Sequence, residues 1–360
     1  MTDTIDSNDL RDRLRSIDDP DLDGDIVTTG IVREVAIVDT TAHIDLSLGA
    51  VHSPTEQRIA DEVRRVVGEA NLDASLTATP ERKAGATDVL PGVDVVIAVA
   101  SGKGGVGKST VAANLAAGLS DRGAKVGLFD ADVYGPNAPR MLGIDSTPEV
   151  EQRDGEDRII PPENHGVKLT SVGSLVGENE PVIWRGAMAH GTLTDLFDDV
   201  AWDGLDYLIL DLPPGTGDIQ MTVLQNLPVT GALVVTTPQS VATDDTGRSM
   251  RAFGKFDTPV LGVVENMRTF VCPDCGSAHD VFGAGGGEAL AEETELPYLG
   301  ALPLDPQVRV DGDDGKPIVL GEGETAATFR DLVGRVADNV GLLRRHRRMK
   351  NVMQPDEVSA

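Results

Sequence analysis

The sequence is poor in several things, and each shortage excludes something. Two cysteines in 360 residues cannot build a disulfide framework. Aromatic residues make up 3%, too few for platforms on which nucleic-acid bases stack. No apolar run approaches the roughly 18 residues of a membrane-spanning helix. Positive charge is scarce: 31 Lys and Arg stand against 59 Asp and Glu, a net charge of −28. That balance opposes binding to a phosphate backbone or to an anionic membrane surface, both of which need a basic field. The expectation is a protein with no nucleic-acid and no membrane partner. The N terminus, MTDTIDSNDLRDRLRS, lacks the pattern of a secretory signal, so a cytoplasmic location is expected.

The acids are 40 Asp and 19 Glu, the bases 23 Arg and 8 Lys, dispersed along the chain. A dispersed, Asp-rich and Lys-poor surface is that of proteins from salt-accumulating cells, where salt screens the self-repulsion. Halophilic adaptation is therefore expected.

With 40% hydrophobic residues the chain can bury cores, and its length allows two or three domains. Residues 1–78 form a small α+β domain. Leu10–Ile17 is a short helix. Ile31–Val38 and Ala42–Leu48 are strands, the second with strict alternation. Pro54 opens a helix with Ile59, Val63, Val66 and Val67 on one face. Residues 79–92 are a polar linker. Residues 93–345 are an α/β domain, and 346–360 a polar tail. In the α/β domain, apolar runs at Val93–Ala100, Lys125–Phe129, Tyr207–Leu210, Ala232–Thr236 and Val260–Val264 alternate with helices such as Ser109–Ser120 and Asp244–Phe253. This spacing predicts a mostly parallel sheet flanked by helices. The charged stretch between Asp145 and Glu163 is expected to be a loop or an edge hairpin.

One motif carries explicit chemistry. Gly102-Lys103-Gly104-Gly105-Val106-Gly107-Lys108-Ser109-Thr110 fits G-x-x-x-x-G-K-[ST], with a strand before it and a helix after it. The glycines let successive N–H groups face phosphate oxygens, and the helix N-terminus adds positive potential. Lys108 is expected on the β/γ-phosphates, Ser109 on Mg²⁺ and Thr110 on the α-phosphate. The fold is thus a P-loop NTPase, with ATP and Mg²⁺ as ligands.

Lys103, just after the first glycine, is not required by an ordinary P-loop. It resembles the early lysine of the deviant Walker A ATPases, the class of MinD and ParA. That resemblance implies a dimer in which Lys103 reaches the partner's phosphates. It also implies that Asp132 orients the attacking water, that Asp130 lies near Mg²⁺ through water, and that Asp211 is the Walker B carboxylate. Asp211–Asp218 (DLPPGTGD) then reads as a switch loop. Further segments narrow the family: DADVYGPN from Asp130, VIWRG from Val182, VVENM from Val263, and Cys272-Pro-Asp-Cys275-Gly. Together they resemble the Mrp/ApbC (Nbp-type) proteins over about 280 residues.

The resemblance implies a slow, Mg-dependent, dimer-coupled ATPase that carries or scaffolds iron–sulfur clusters, with apo iron–sulfur proteins and cluster assembly factors as partners. It places Asn266 on the adenine. Two thiolates do not complete a tetrahedral site, but a two-fold dimer supplies the four that a [4Fe-4S] cluster needs. A shared zinc site, a redox dithiol and a ligand-free structural pair stay open for Cys272 and Cys275. So do two other functions: an ATP-dependent metal or redox regulatory switch, and a MinD/ParA-like positioning ATPase.

Other segments have plainer expectations. The first domain resembles the small assembly-factor domain fused to Mrp proteins, but His52-Ser53-Pro54 stands where that family has Cys-Pro. It is read either as a partner- or client-docking module, with the exposed face of its sheet and Asp21 at the contact, or as a stabilising domain. Trp184 and Arg185 are expected at the dimer-facing surface or the core edge, and His279 in a solvated loop. Gly283–Gly287 opens a helix without a following lysine, so no second phosphate site is expected there. Arg344–Arg348 is expected to be a solvated helix end.

Overall fold

A computed structural model of the chain describes residues 5–80, 89–132, 136–153, 155–175, 197, 199–202, 204–215, 217–272 and 274–353. Val182–Gly186, with Trp184 and Arg185, lies outside the described residues, as do 133–135 of the DADVYGPN segment, Thr216, Pro273 and the linker residues 81–88. The chain divides into two compact units, Met1–Glu81 with Ala337–Ala360, and Arg82–Val336.

In the first unit, α1 (Ser7–Leu14) starts on an Asp6 cap whose carboxylate accepts from the N–H groups of Asn8 and Asp9. Strands β1 (Val32–Val38) and β2 (Thr41–Leu48) pair antiparallel, and β3 (Asp73–Pro80) runs parallel to β2. Helix α2 (Pro54–Glu69) has Ser53 as N-cap and proline in its first turn. It buries Ile59, Val63, Val66 and Val67 against Ala42, Ile44 and Leu46 of the sheet. Strand β3 is absent from the sequence reading, which placed the linker from residue 79. Its polar, small-residue sequence, DASLTATP, has weak alternation, and its backbone pairing with β2 makes it a strand.

The C-terminal helix (Glu324–Met353) corrects two expectations. It continues to Met353, into the first part of the stretch read as a polar tail. Arg344 and Arg345 are not a solvated end: they are 6% and 2% exposed. Arg344 donates to Gly49 O at 2.9 Å, and Arg345 Nη1 to Glu56 Oε1 at 3.0 Å. Arg345 Nη2 also pairs with Asp21. Asp21 is thus part of an internal clamp rather than a free docking contact. A guanidinium suits this place because its fork serves two carboxylates at once.

Glu56 also accepts from the N–H groups of Gly49 at 2.7 Å and Ala50 at 2.9 Å. Burial outweighs these donors and the arginines, and pushes its carboxyl from 4.5 up to about 7. The folded chain therefore holds this proton more tightly than the unfolded chain. The contribution to stability is complete below pH 4.5 and is lost as the pH rises to about 7. Denaturant unfolding of wild type and Glu56→Gln across this range checks it. Wild-type stability relative to the variant should fall by roughly 3 kcal/mol from acid to pH 8; a difference that stays flat or grows would contradict it.

The second unit carries an eight-stranded sheet. Its order is β15 (Tyr298–Ala301), β12 (Val260–Glu265), β11 (Gly231–Thr236), β4 (Val93–Ala100), β10 (Leu205–Asp211), β5 (Val126–Asp130), β9 (Val167–Ser171) and β8 (Glu163–Asn164). Only β8, at one edge, is antiparallel to its neighbour; every other pair is parallel. Strands β4, β10 and β11 are buried on both faces, as their unbroken apolar runs predict. The segment Glu149–Ile160 is a hairpin of β6 (Glu149–Arg153) and β7 (Glu156–Ile160). From β4 the chain crosses to β5, skipping one place, and returns to fill that gap with β10. The carboxyl ends of β4, β5 and β10 therefore lie side by side, at the crevice where open α/β sheets bind ligands.

Candidate functional site: a phosphate cradle with two carboxylates

Strand β4 delivers the chain to Ser101, and α3 (Lys108–Asp121) takes it away from Lys108. Between them, Gly105 and Gly107 have φ of +82° and +83°, a left-handed conformation that side chains disfavour. Residues 102–107 wrap the N-terminus of α3, which has no side-chain cap. Its first N–H groups are left for a ligand, and the arrangement suits an anion. The Lys103 side chain is exposed, while Lys108 is 7% exposed.

Two aspartates face this loop. Asp211 closes β10, and in the sheet register its partners are Asp130 at the end of β5 and Val99 of β4. Both carboxylates are fully buried. Lys108 Nζ pairs with Asp211 Oδ1 and lies 3.3 Å from Ser109 Oγ. Asp211 Oδ2 is buried with no hydrogen-bond partner. Burial pushes the Asp211 carboxyl up, against the pull of Lys108 and Ser109 and with a smaller push from Asp132. Asp130 is carried up to about 7 by burial and by the Asp211 charge, although it accepts from the N–H groups of Asp132 at 3.0 Å and Ala138 at 3.1 Å. Two buried carboxylates side by side, one with an unpartnered oxygen, fit a divalent cation. With Asp130 held by two backbone donors, the unpartnered Asp211 Oδ2 and the Ser109 hydroxyl are the groups that could reach a metal directly.

The segment after Asp211 is tied to the loop. Gly215 N–H donates to Ser101 O at 2.9 Å, and a Cβ on Gly104 would stand 3.7 Å from Pro214. Behind the loop is a cavity of about 230 Å³ lined by Gly107, Thr110, Arg140, Asn266, Pro303 and Asp305 among others. Asn266 is among these lining residues, and its Nδ2 donates to Val106 O at 2.9 Å. The sequence reading missed Arg140, Pro303 and Asp305, which come from distant segments. The Asp305-Pro306 pair, an N-cap followed by proline just after β15, was the available signal.

The glycine run at 283–287 has another occupant. Glu265, buried at the end of β12, accepts from Gly285 N–H at 3.0 Å and from Gly287 N–H. Its carboxylate takes the place a phosphate would need, so this helix start is structural.

Cys272 and Cys275 sit apart from the phosphate loop. They lie in the turn of a small hairpin, β13 (Phe270–Val271) with β14 (Ala278–His279). Cys272 N–H donates to Ser277 O at 2.9 Å, and Gly276 N–H to Cys272 O at 2.8 Å. Cys272 is half-buried and Cys275 exposed. Cys275 Sγ lies 3.3 Å from Ser277 Oγ. Hydrogen bonding from Ser277, and then from the Cys272 thiol, holds the Cys275 thiol below its ordinary value and favours the thiolate that metals bind. Among the described residues no group of three or more His, Cys, Asp and Glu could hold a metal, and His279 is exposed.

Residues 92–340 match the family model of the NUBPL iron-transfer P-loop NTPase, and residues 7–75 that of an iron-sulfur cluster assembly protein. The chain belongs to the NUBPL iron-transfer P-loop NTPase family. Relatives named iron-sulfur cluster carrier protein include one from Synechocystis, 42% identical over 90% of this chain and 96% of its own length. Another, from Escherichia coli K12, is 42% identical over 90% and 89%. Among solved structures, a nucleotide-binding protein from Archaeoglobus fulgidus in complex with ADP is 34% identical with a TM-score of 0.55, covering 64% of this chain and 90% of that one. The cell division ATPase MinD of Pyrococcus furiosus, at 24% identity and a TM-score of 0.50, shares the fold. The matches agree with the P-loop NTPase fold expected from the sequence. Among the described residues no helix is long and apolar enough to cross a membrane.

Proposed function

We propose that this member of the iron-transfer NTPases binds and hydrolyses ATP and carries a [4Fe-4S] cluster between two copies of the chain, delivering it to apo-proteins in the cytoplasm. The observation that carries the reading is the pairing of a P-loop phosphate cradle with a two-thiol hairpin that has no third metal ligand among the described residues. A four-thiolate cluster is then completed by a second chain. The names of the relatives support a cluster as cargo, and the ADP-bound neighbour supports a nucleotide in the loop.

In this reading Gly102–Gly107 cradle the phosphates through their N–H groups, Lys108 leaves Asp211 for the β/γ-phosphates, and Thr110 serves the α-phosphate. Ser109 and Asp211 would hold Mg²⁺, with Asp130 behind them, and the ion would supply charge neutralisation for phosphoryl transfer. Asp132 orients the attacking water. The exposed Lys103 reaches the partner's phosphates across the dimer. Asn266 lines the base cavity. The Gly215–Ser101 bond lets the segment after Asp211 follow the γ-phosphate. The dispersed acidic surface fits a salt-rich cytoplasm, so assays belong in high salt.

Transfer tests the function. The reconstituted protein, given ATP and Mg²⁺ under anaerobic conditions, should activate an apo [4Fe-4S] enzyme faster than the same iron and sulfide supplied free in solution. Equal rates would reject a carrier role.

A further inference from the structure

Four residues separate the end of strand β12 at Glu265 from the start of the cysteine hairpin at Phe270. Asn266, which follows β12, stands six residues before Cys272. Its Nδ2 donates to Val106 O at 2.9 Å, its Oδ1 accepts from Met267 N–H at 2.9 Å, and its own N–H donates to Thr236 O at 2.8 Å. The amide orientation is fixed by these partners, because a carbonyl only accepts and a backbone N–H only donates.

Val106 O and Gly107 N–H belong to one peptide unit. That unit is planar, and the chain has no cis bonds among the described residues, so the two groups point in opposite directions. When the N–H turns to a phosphate, it fixes where the carbonyl points, and so where Asn266 must sit. The contact depends on glycine, since a Cβ on Gly107 would stand 2.2 Å from Asn266 Nδ2.

Beyond Asn266 the chain is held at each step toward the cysteines. Met267 is left-handed, with φ of +60°. Arg268 N–H donates to Leu302 O at 3.1 Å, and Leu304 N–H to Thr269 O at 3.0 Å. Thr269 Oγ1 donates to Asp280 Oδ1 at 2.8 Å, at the base of the hairpin. The segment Pro303–Asp305 also forms a common wall between the cavity behind the P-loop and a second one of about 510 Å³, lined by Arg268, Thr269 and Val271.

We propose that Asn266 is a positioning residue that couples occupancy of the P-loop to the conformation of the Cys272/Cys275 hairpin, through the Val106–Gly107 peptide and the Thr269–Asp280 bond. The proposal rests on the carrier reading only for the identity of the hairpin's cargo. It is a second, shorter route beside the segment that follows Asp211.

Thiol alkylation tests it on the metal-free, full-length chain. Iodoacetamide labelling of Cys272 and Cys275 is followed by mass spectrometry, with and without saturating ATP and Mg²⁺. In wild type the nucleotide should change the rate about fivefold or more, the size of an ordinary coupling. Asn266→Asp keeps the acceptor for Met267 but presents a carboxylate to Val106 O; at ATP concentrations shown to saturate it, the ratio should fall to about one. Thr269→Val lies outside the P-loop cavity and should also shrink the ratio; it decides the matter if Asn266→Asp does not bind ATP. A wild-type ratio of one, or a nucleotide-bound Asn266→Asp that responds like wild type, overturns the proposal. Iron content, measured separately, decides the carrier reading, so the two can fail independently.

Discussion

Replacing both Cys272 and Cys275 by alanine should take iron and sulfide in the reconstituted protein from about four of each per dimer to none. The expectation is all-or-none for a physical reason. The chain has only these two cysteines, and no third metal-binding side chain gathers beside them among the described residues. A single replacement already leaves two thiolates per dimer where a cluster needs four. The hairpin itself should survive, since its ladder is made by backbone groups: Cys272 N–H to Ser277 O, and the Phe270–His279 and Val271–Ala278 pairs. ATP hydrolysis should persist in the double variant, because both cysteines lie outside the phosphate site. Loss of iron with an unchanged melting temperature is the result to look for. Retention of iron would place the cluster elsewhere.

The second large effect is at Lys108. Lys108→Met should lower ATP hydrolysis by about 10²–10³-fold or more, the cost of losing a charged donor aimed at the transferring phosphoryl group. It should also destabilise the chain. Asp211 is fully buried with Lys108 as its ion-pair partner, and removing one member of a buried pair costs about 3–5 kcal/mol. Asp211 relieves part of that cost by taking up a proton, since burial already pushes its carboxyl up. The double variant Lys108→Met/Asp211→Asn separates the two effects. Its melting temperature should recover most of the loss, while hydrolysis stays absent. A double variant that regains activity would remove both residues from the catalytic machinery.

Much of the site was legible because its residues are contiguous. The run Gly102–Thr110 carries its own strand and helix, so backbone geometry and sequence coincide. Asp130 and Asp211 were legible as strand ends, and the sheet then made them neighbours. What could not be read was assembled by distant segments. The wall at Pro303–Asp305 lines the same cavity as Gly107 although nearly two hundred residues separate them in sequence. The Asn266 amide is engaged with Val106 O, a contact no periodicity reports. The arginines at 344 and 345 looked like a solvated helix end because charge usually is. Their partners Asp21, Gly49 and Glu56 lie 324, 295 and 289 residues away in sequence. Strand β3 was missed for the opposite reason, its side chains carrying little of the signal that its backbone pairing provides.

The central claim is that one cluster is shared by two chains. Native mass spectrometry of the anaerobically reconstituted protein, exchanged from high salt just before measurement, tests it most directly. The account predicts a dimer heavier than two polypeptides by one [4Fe-4S] unit, which falls back to monomers when Cys272 and Cys275 are replaced. A monomer holding its own metal, or a dimer carrying zinc, would contradict it.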